Sequence, residues 1–256
     1  MGGMSETNPT PNPAEPTRTV IVLVAMEDEA VPFLRRAERT GEHETAGASV
    51  VRSIEIDGLP IRLVQTGIGF VNAASATTAA ILWARAAHPE AVPVVFSAGT
   101  AGGLGAGVEV GDVVVGSEYI NIDADARVFG YRLGQVPGMP ESYRADPRML
   151  AAVELASPPE GDGWHVRPGL IASSYSFVTA DRADIARTEF PGVAAVDMES
   201  SAIAQVCYSN GVPFASVRGI SDLASATAPV DHVDNTSSTA ERSSRVLIAL
   251  AEALRL

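Results

Sequence analysis

The chain has 256 residues, 46% of them hydrophobic and 19% charged, which is enough apolar material for one large core and rules out global disorder. Its formal net charge is −13 and all 18 basic residues are arginine, so Schiff-base chemistry and a P-loop lysine are excluded. With that charge and no basic run, nucleic acid and anionic membranes are poor partners, and a small molecule is the expected one. Cys207 is the only cysteine, which leaves no intrachain disulfide or thiolate cluster and points to a cytoplasmic setting. The histidines, His43, His88, His165 and His232, lack metal-ligand spacing, so neither a metal nor a cofactor is expected. No apolar run reaches the roughly 18 residues of a transmembrane helix. Residues 1–17 are polar and proline-rich, without the regions of a secretory signal; they read as a disordered tail before a single domain at 18–256.

In chain order, residues 19–25 (TVIVLVA) predict a strand buried on both faces, followed by an acid-led helix over 27–39. Residues 48–56 and 59–65 read as a hairpin around Asp57-Gly58. Gly67-Ile68-Gly69 leads into an alanine-rich helix over 71–87, and a strand over 92–97 ends in a glycine turn at 99–103. A strand over 113–120 precedes an irregular stretch, 123–147, whose length predicts a functional or interfacial loop. A helix over 149–156, a polar turn over 157–163 and a strand over 165–172 follow. Then come a helix over 182–189, a strand over 193–196, a helix over 199–209 stopped by Asn210-Gly211, a strand over 214–220 and a closing helix over 238–254. This alternation predicts a single α/β domain with a mixed, mostly parallel sheet flanked by helices.

Ligands of open α/β sheets bind outside the carboxyl ends of the strands, so the residues that follow each strand are the candidates. They bring Glu29, Glu199 and Asp222 to one rim with two glycine turns. Each has a plainer alternative: a helix-end role for Glu29 and Glu199, a cap for Asp222, an ion pair for Arg218, and tight turns for the glycines. No GxGxxG joins a strand to a helix, which disfavours NAD.

Taken together, these segments resemble the 5'-methylthioadenosine/S-adenosylhomocysteine nucleosidases over about residues 19–254. The resemblance is carried by Ala25-Met26-Glu27-Asp28-Glu29, Thr66-Gly67-Ile68-Gly69, Ala98-Gly99-Thr100-Ala101-Gly102-Gly103-Leu104 and Val110-Gly111-Asp112. It continues in Asp123-Ala124-Asp125, Phe129-Gly130-Tyr131, Gly134-Gln135-Val136-Pro137-Gly138, Val196-Asp197-Met198-Glu199 and Val217-Arg218-Gly219-Ile220-Ser221-Asp222. It implies a purine nucleoside phosphorylase-like fold, a homodimer, and hydrolysis of the N-ribosidic bond of adenine nucleosides in methionine salvage. It further implies Asp222 as the acid that protonates the purine, Glu29 as the base for water, and Glu199 as the holder of the ribose hydroxyls. Met198, Phe177 and Val178 match the base and ribose pocket. Ser221 would orient Asp222, and Thr100 takes the place of a small hydroxyl residue beside Ala101 and Gly102. Met26, Ile68 and Arg218 fall within the same matching segments. Phe129, Tyr131 and Pro137 match positions that reach the 5' group from the neighbouring subunit.

Two departures bear on the pocket. Ser173-Ser174-Tyr175-Ser176 replaces a stretch that usually reads Ser-Gly-Asp-small, and His232 falls where the family commonly has a phenylalanine beside the 5' group. The second implies a different 5' preference. The alternatives are a futalosine or aminodeoxyfutalosine hydrolase, then a nucleoside phosphorylase, then a non-catalytic nucleoside-binding protein. Phosphorolysis requires cations to hold phosphate, and the glycine segment has no arginine while the first loop is acidic.

Overall fold

In the computed structural model, which describes residues 18–158, 161–254 and 256, the first apolar run forms β1 (Arg18–Val24), with residues 20–24 buried. The expected tail, 1–17, and residues 159–160 of the expected polar turn lie outside the described residues. Helix α1 (Glu27–Arg36) stops three residues before the expected end, because Arg39 pairs with Glu55 as part of β2 (Arg39–Thr40). A short β3 (Glu44–Ala46) then precedes the hairpin of β4 (Ser49–Ile56) and β5 (Leu59–Gln65). Its turn residues Asp57 and Gly58 both have positive φ, 50° and 77°, as a two-residue hairpin of this sequence requires.

Helix α2 (Phe70–Ala87) leads to β6 (Val92–Gly103), which corrects the sequence reading. The glycine segment 99–103 is the second half of a 12-residue strand and no turn at all. The chain continues through β7 (Val113–Asn121), a 3₁₀ turn at Arg127–Phe129, and β8 (Tyr143–Arg144). The helix expected over 149–156 is split into α3 (Pro147–Ala151) and a 3₁₀ turn at Val153–Ala156. The rest comprises β9 (Val166–Ser173), α4 (Ala180–Glu189), β10 (Val193–Asp197), α5 (Ser200–Asn210), β11 (Phe214–Asp222) and α6 (Ala228–Ala253). Helix α6 starts ten residues before the expected position.

The sheet is mixed. Its path runs β10-β9-β7-β11-β6-β1-β5-β4-β2, with β3 added to β4 and β8 to β7. The central pairings of β1 with β5 and β6, β6 with β11, and β9 with β7 and β10 are parallel. Strands β7 and β11 are antiparallel, as are the hairpin strands. β6 serves two neighbours on one edge: residues 92–97 pair with β1, while Gly102 and Gly103 pair with Val196 and Ala195 of β10. That second contact closes β10, β9, β7, β11 and β6 into a ring. Along it, a Cβ on Gly103 would crowd Leu223 at 2.9 Å and Ile220 at 3.0 Å, so those side chains would have to shift to admit one.

Side-chain alternation divides the core between the two faces of the sheet. Val20, Val22, Val24 and Phe96 pack with Phe33 of α1 and Leu247 and Leu250 of α6. Ile21, Leu23 and Val95 pack with Ile81 of α2 and Ile203 of α5. Each such side chain contributes about 1.5–3 kcal/mol by leaving water. The two-sided layer holds the carboxyl ends of β1, β6, β10 and β11 rigidly beside one another.

Candidate active site

The acids begin with Glu29, in the first turn of α1 and 2% exposed. Its Oε2 accepts hydrogen bonds from the amides of Ala25 (2.8 Å) and Met26 (3.2 Å), so it does tie down the start of its own helix. Its Oε1 does something else: it accepts from the amide of Thr100 (2.9 Å) and from the Thr100 hydroxyl (3.3 Å). A Cβ on Gly99 would stand 2.4 Å from both Glu29 Oε1 and Arg218 Nη1, so this strand position admits only glycine.

After β10, the turn into α5 divides labour between two carboxylates. Asp197 Oδ1 accepts from the amides of Glu199 (3.3 Å) and Ser200 (3.1 Å) and from the Ser173 hydroxyl (2.6 Å). Asp197 therefore secures the helix start. Glu199 is left free of the helix-end role considered for it; its Oε1 accepts from the Gly69 amide (2.9 Å) and its Oε2 from the Met198 amide (3.3 Å). Gly69 can present that amide because it sits at φ 94°, the left-handed side that favours glycine. Burial pushes the Glu199 carboxyl above the ordinary carboxylate range, with Asp197 and Glu29 adding to the effect against the opposing pull of Arg218.

Arg218, in β11, is 1% exposed and lies beneath this group. Its Nε is 2.8 Å from Asp197 Oδ2 and its Nη2 is 3.8 Å from Glu199 Oε2; Nη2 also donates to the hydroxyls of Ser97 and Ser200. Burial works against its charge, but Asp197, Glu199 and Glu29 together outweigh burial and raise its pKa.

Asp222, the last residue of β11, is 1% exposed. Ser221 Oγ donates to its Oδ2 (2.9 Å), and the Ala224 amide donates to its Oδ1 (2.9 Å). His232, in the second turn of α6, has Nδ1 3.0 Å from Ser221 Oγ and 4.0 Å from Asp222 Oδ2. Its ring meets Phe177 edge-on, with centroids 5.6 Å apart.

These residues surround one concave, mostly apolar cleft, the form a small-molecule site takes. Of the residues singled out from sequence, Glu29, Asp222, Met26, Ile68, Thr100, Ala101, Gly102, Phe177, Val178, Met198, Glu199 and His232 line it. Arg218 and Ser221 stand behind it as supports. Phe129, Tyr131 and Pro137 are not brought to it within this chain, and Phe129 is 79% exposed. Sequence reasoning missed Ala25, Ser176, Val196 and Asp197 as lining residues; the signal for Asp197 was a carboxylate at the end of an apolar strand.

Tyr175, part of the departing stretch, accepts at its hydroxyl from the Val71 amide (3.1 Å) and packs on Phe70 at 4.7 Å. It buttresses the Gly69 turn that holds Glu199. No arginine lines the cleft, and among the described residues no group of three or more His, Cys, Asp or Glu could hold a metal ion. The arrangement joins four carboxylates around an apolar slot: Glu29 faces a hydroxyl and an amide on β6, Glu199 borders Gly69, Asp222 has a hydroxyl at its back, and Asp197 is taken up by Arg218 and the start of α5.

Residues 19–255 match the phosphorylase superfamily model. A 5'-methylthioadenosine/S-adenosylhomocysteine nucleosidase from Anoxybacillus flavithermus is 41% identical over 206 residues, covering 80% of this chain and 85% of the relative. Among solved structures, the nucleosidase of that name from Neisseria meningitidis, in complex with methylthio-immucillin-A, is 34% identical with a TM-score of 0.84. That match covers 92% of this chain and 99% of the other. The one from Colwellia psychrerythraea, in complex with adenine, is 31% identical with a TM-score of 0.85, covering 93% and 96%.

Proposed function

Since the chain belongs to the phosphorylase superfamily, and within it to the 5'-methylthioadenosine/S-adenosylhomocysteine nucleosidases, we propose that it hydrolyses the N-ribosidic bond of 5'-substituted adenine nucleosides. The substrates are 5'-methylthioadenosine, S-adenosylhomocysteine and 5'-deoxyadenosine, and free adenine is the common product. The observation that carries this reading is the convergence of Glu29, Glu199 and Asp222 on one cleft without an arginine.

Breaking the bond between C1' and N9 needs a better leaving group and a stabilised sugar cation. Asp222 delivers a proton to N7 of the purine, so that the base departs neutral. Glu199 holds the ribose hydroxyls, and its negative charge favours the oxocarbenium-like transition state. Glu29 takes a proton from the attacking water, which Thr100 and the carboxylate position between them. The backbone of Val178 reads the adenine edge, while Met198 and Phe177 enclose base and ribose.

Water is favoured over phosphate as the nucleophile. Among the described residues no arginine lines the cleft; Arg218 behind it is buried and already engaged by Asp197, and a phosphate would meet Glu29 head-on. Two copies form the working unit, with Phe129, Tyr131 and Pro137 of each completing the 5' side of the other's cleft. The exposure of Phe129 and Pro137 in the single chain, with Val128 at 86%, supports this. The lone buried Cys207 suits a cytoplasmic setting.

Incubation with 5'-methylthioadenosine, with and without phosphate, tests the reading. Adenine and the free methylthioribose are expected at the same rate in both. A ribose-1-phosphate product would establish a phosphorylase instead, and turnover of futalosine alone would establish the other hydrolase.

A further inference from the structure

Asp222 is 1% exposed, so solvent reaches it poorly to replace a proton that it gives away into the cleft it lines. One route is present. Ser221 Oγ stands 2.9 Å from Asp222 Oδ2 on one side and 3.0 Å from His232 Nδ1 on the other, and the His232 side chain is 25% exposed and borders the cleft. We propose that His232 and Ser221 form a proton relay that recharges Asp222 after each turnover, a positioning and supply role that rests on the nucleosidase reading.

The relay balances. When the base leaves with the Asp222 proton, Oδ2 is an anion facing the Ser221 hydroxyl. Ser221 passes its proton to Oδ2 as the His232 imidazolium passes the Nδ1 proton to Ser221 Oγ. Two O–H bonds form, one O–H and one N–H bond break, and a neutral imidazole remains with its proton on Nε2. Water entering the vacated cleft returns a proton to Nδ1, and the proton held by Glu29 leaves to the same solvent. Imidazole suits the task because it is the side chain that ordinarily changes charge between pH 5 and 8.

The ring shares the cleft with carboxylates. Asp222 faces it from β11, and Glu29 of α1 and Glu199 after β10 border the same cleft. On its own helix, Asp231 is engaged by the Thr227 hydroxyl at 2.7 Å, and Phe177 packs edge-on against the ring. Ser221 has one competing acceptor, the Ala101 carbonyl at 3.4 Å, which is the more distant. Asp222 keeps its Ala224 amide contact whatever occupies position 232. Loss of the imidazole should therefore leave an already protonated Asp222 able to act once.

Rapid-quench measurement of adenine from 5'-methylthioadenosine, with wild type, His232→Phe and His232→Gln, tests this. Both variants are expected to release one adenine per site quickly and then to turn over about tenfold more slowly or worse. Added imidazole should restore the slow phase. A variant that keeps the wild-type steady rate overturns the relay. So does one whose first turnover slows as much as the later ones, since His232 would then act by packing. Full activity in His232→Gln overturns it as well, because glutamine keeps a hydrogen bond to Ser221 without carrying a proton. A wild type that releases no adenine would instead overturn the nucleosidase reading itself.

Discussion

Glu199 is an acid kept out of water for the sake of its position, and this has a measurable consequence. Its carboxyl titrates above the ordinary value of 4.5, mainly because burial penalises the charge. The folded chain therefore binds a proton there more tightly than the unfolded chain. The stabilising contribution is complete below the ordinary carboxylate value and is lost as pH rises through the raised one. Glu199→Gln keeps an acceptor for the Gly69 amide and removes the charge. It should raise the melting temperature at pH 8 by several degrees, on the order of 2–4 °C per kcal/mol, and have little effect at pH 4. Calorimetry at the two pH values checks this, and equal shifts at both would mean that charge burial is not the cause. The same variant should lose both affinity and rate, because the ribose loses its anionic partner. Asp222→Asn isolates the acid: turnover should fall by about 10² to 10⁴ while nucleoside binding is retained. Wild-type turnover in that variant would remove Asp222 from the chemistry.

The element that most affects the cleft is α6, through its seat on β11. A Cβ on Gly219 would stand 2.1 Å from the Thr239 carbonyl, so helix and strand touch backbone to backbone. Gly219→Ala should destabilise the fold by about 2–4 kcal/mol, read from urea unfolding, because a backbone atom cannot swing aside as a side chain can. A change below about 0.5 kcal/mol would show that α6 can retreat freely. The close approach also explains why the first ten residues of the helix were illegible. The face that α6 buries there and just beyond includes Ala228, Thr236, Thr239 and Ala240, so it has none of the large apolar periodicity by which a helix is read. Thr236 and Thr239 satisfy their hydroxyls on the carbonyls of His232 and Asn235, which makes polar residues tolerable in a buried seam. The glycine run of β6 was misread for a related reason. Glycine usually signals a turn, yet here it marks where Glu29, Arg218, Leu223 and Asp222 press against a continuing strand.

For the whole molecule, the segment containing Phe129, Tyr131 and Pro137 decides whether one chain is enough. Val128 and Phe129 stand exposed within a 3₁₀ turn, and an exposed apolar pair of this kind is ordinary at an interface. The protein should sediment as a dimer, and Phe129→Glu should shift it toward monomer while reducing kcat/KM for 5'-methylthioadenosine at least tenfold. That magnitude corresponds to about 1.4 kcal/mol of lost transition-state binding. A wild type that is fully active as a monomer would contradict the completed-cleft reading.

What the sequence determined by itself was chemical and local. The apolar run 20–24 dictated a doubly buried strand, Asp57-Gly58 a hairpin, and Gly211, at φ 63°, the end of α5. The order of the acidic and glycine motifs identified the three carboxylates, because residue type and spacing are properties of the chain alone. Tertiary structure decided everything that depends on distant segments meeting. It assigned the capping of α5 to Asp197, and so left Glu199 to face Gly69, 130 residues away in sequence. It carried β6 through its glycines to meet β10, closing the ring whose rim holds Val196, Gly102 and Asp222. It also brought His232 to Ser221 through a helix start that the apolar pattern does not announce. The physical reason is the same in each case. A buried polar group takes its partner from whatever segment packing brings within about 3 Å, and that choice is made by the assembled core rather than by neighbours in the chain.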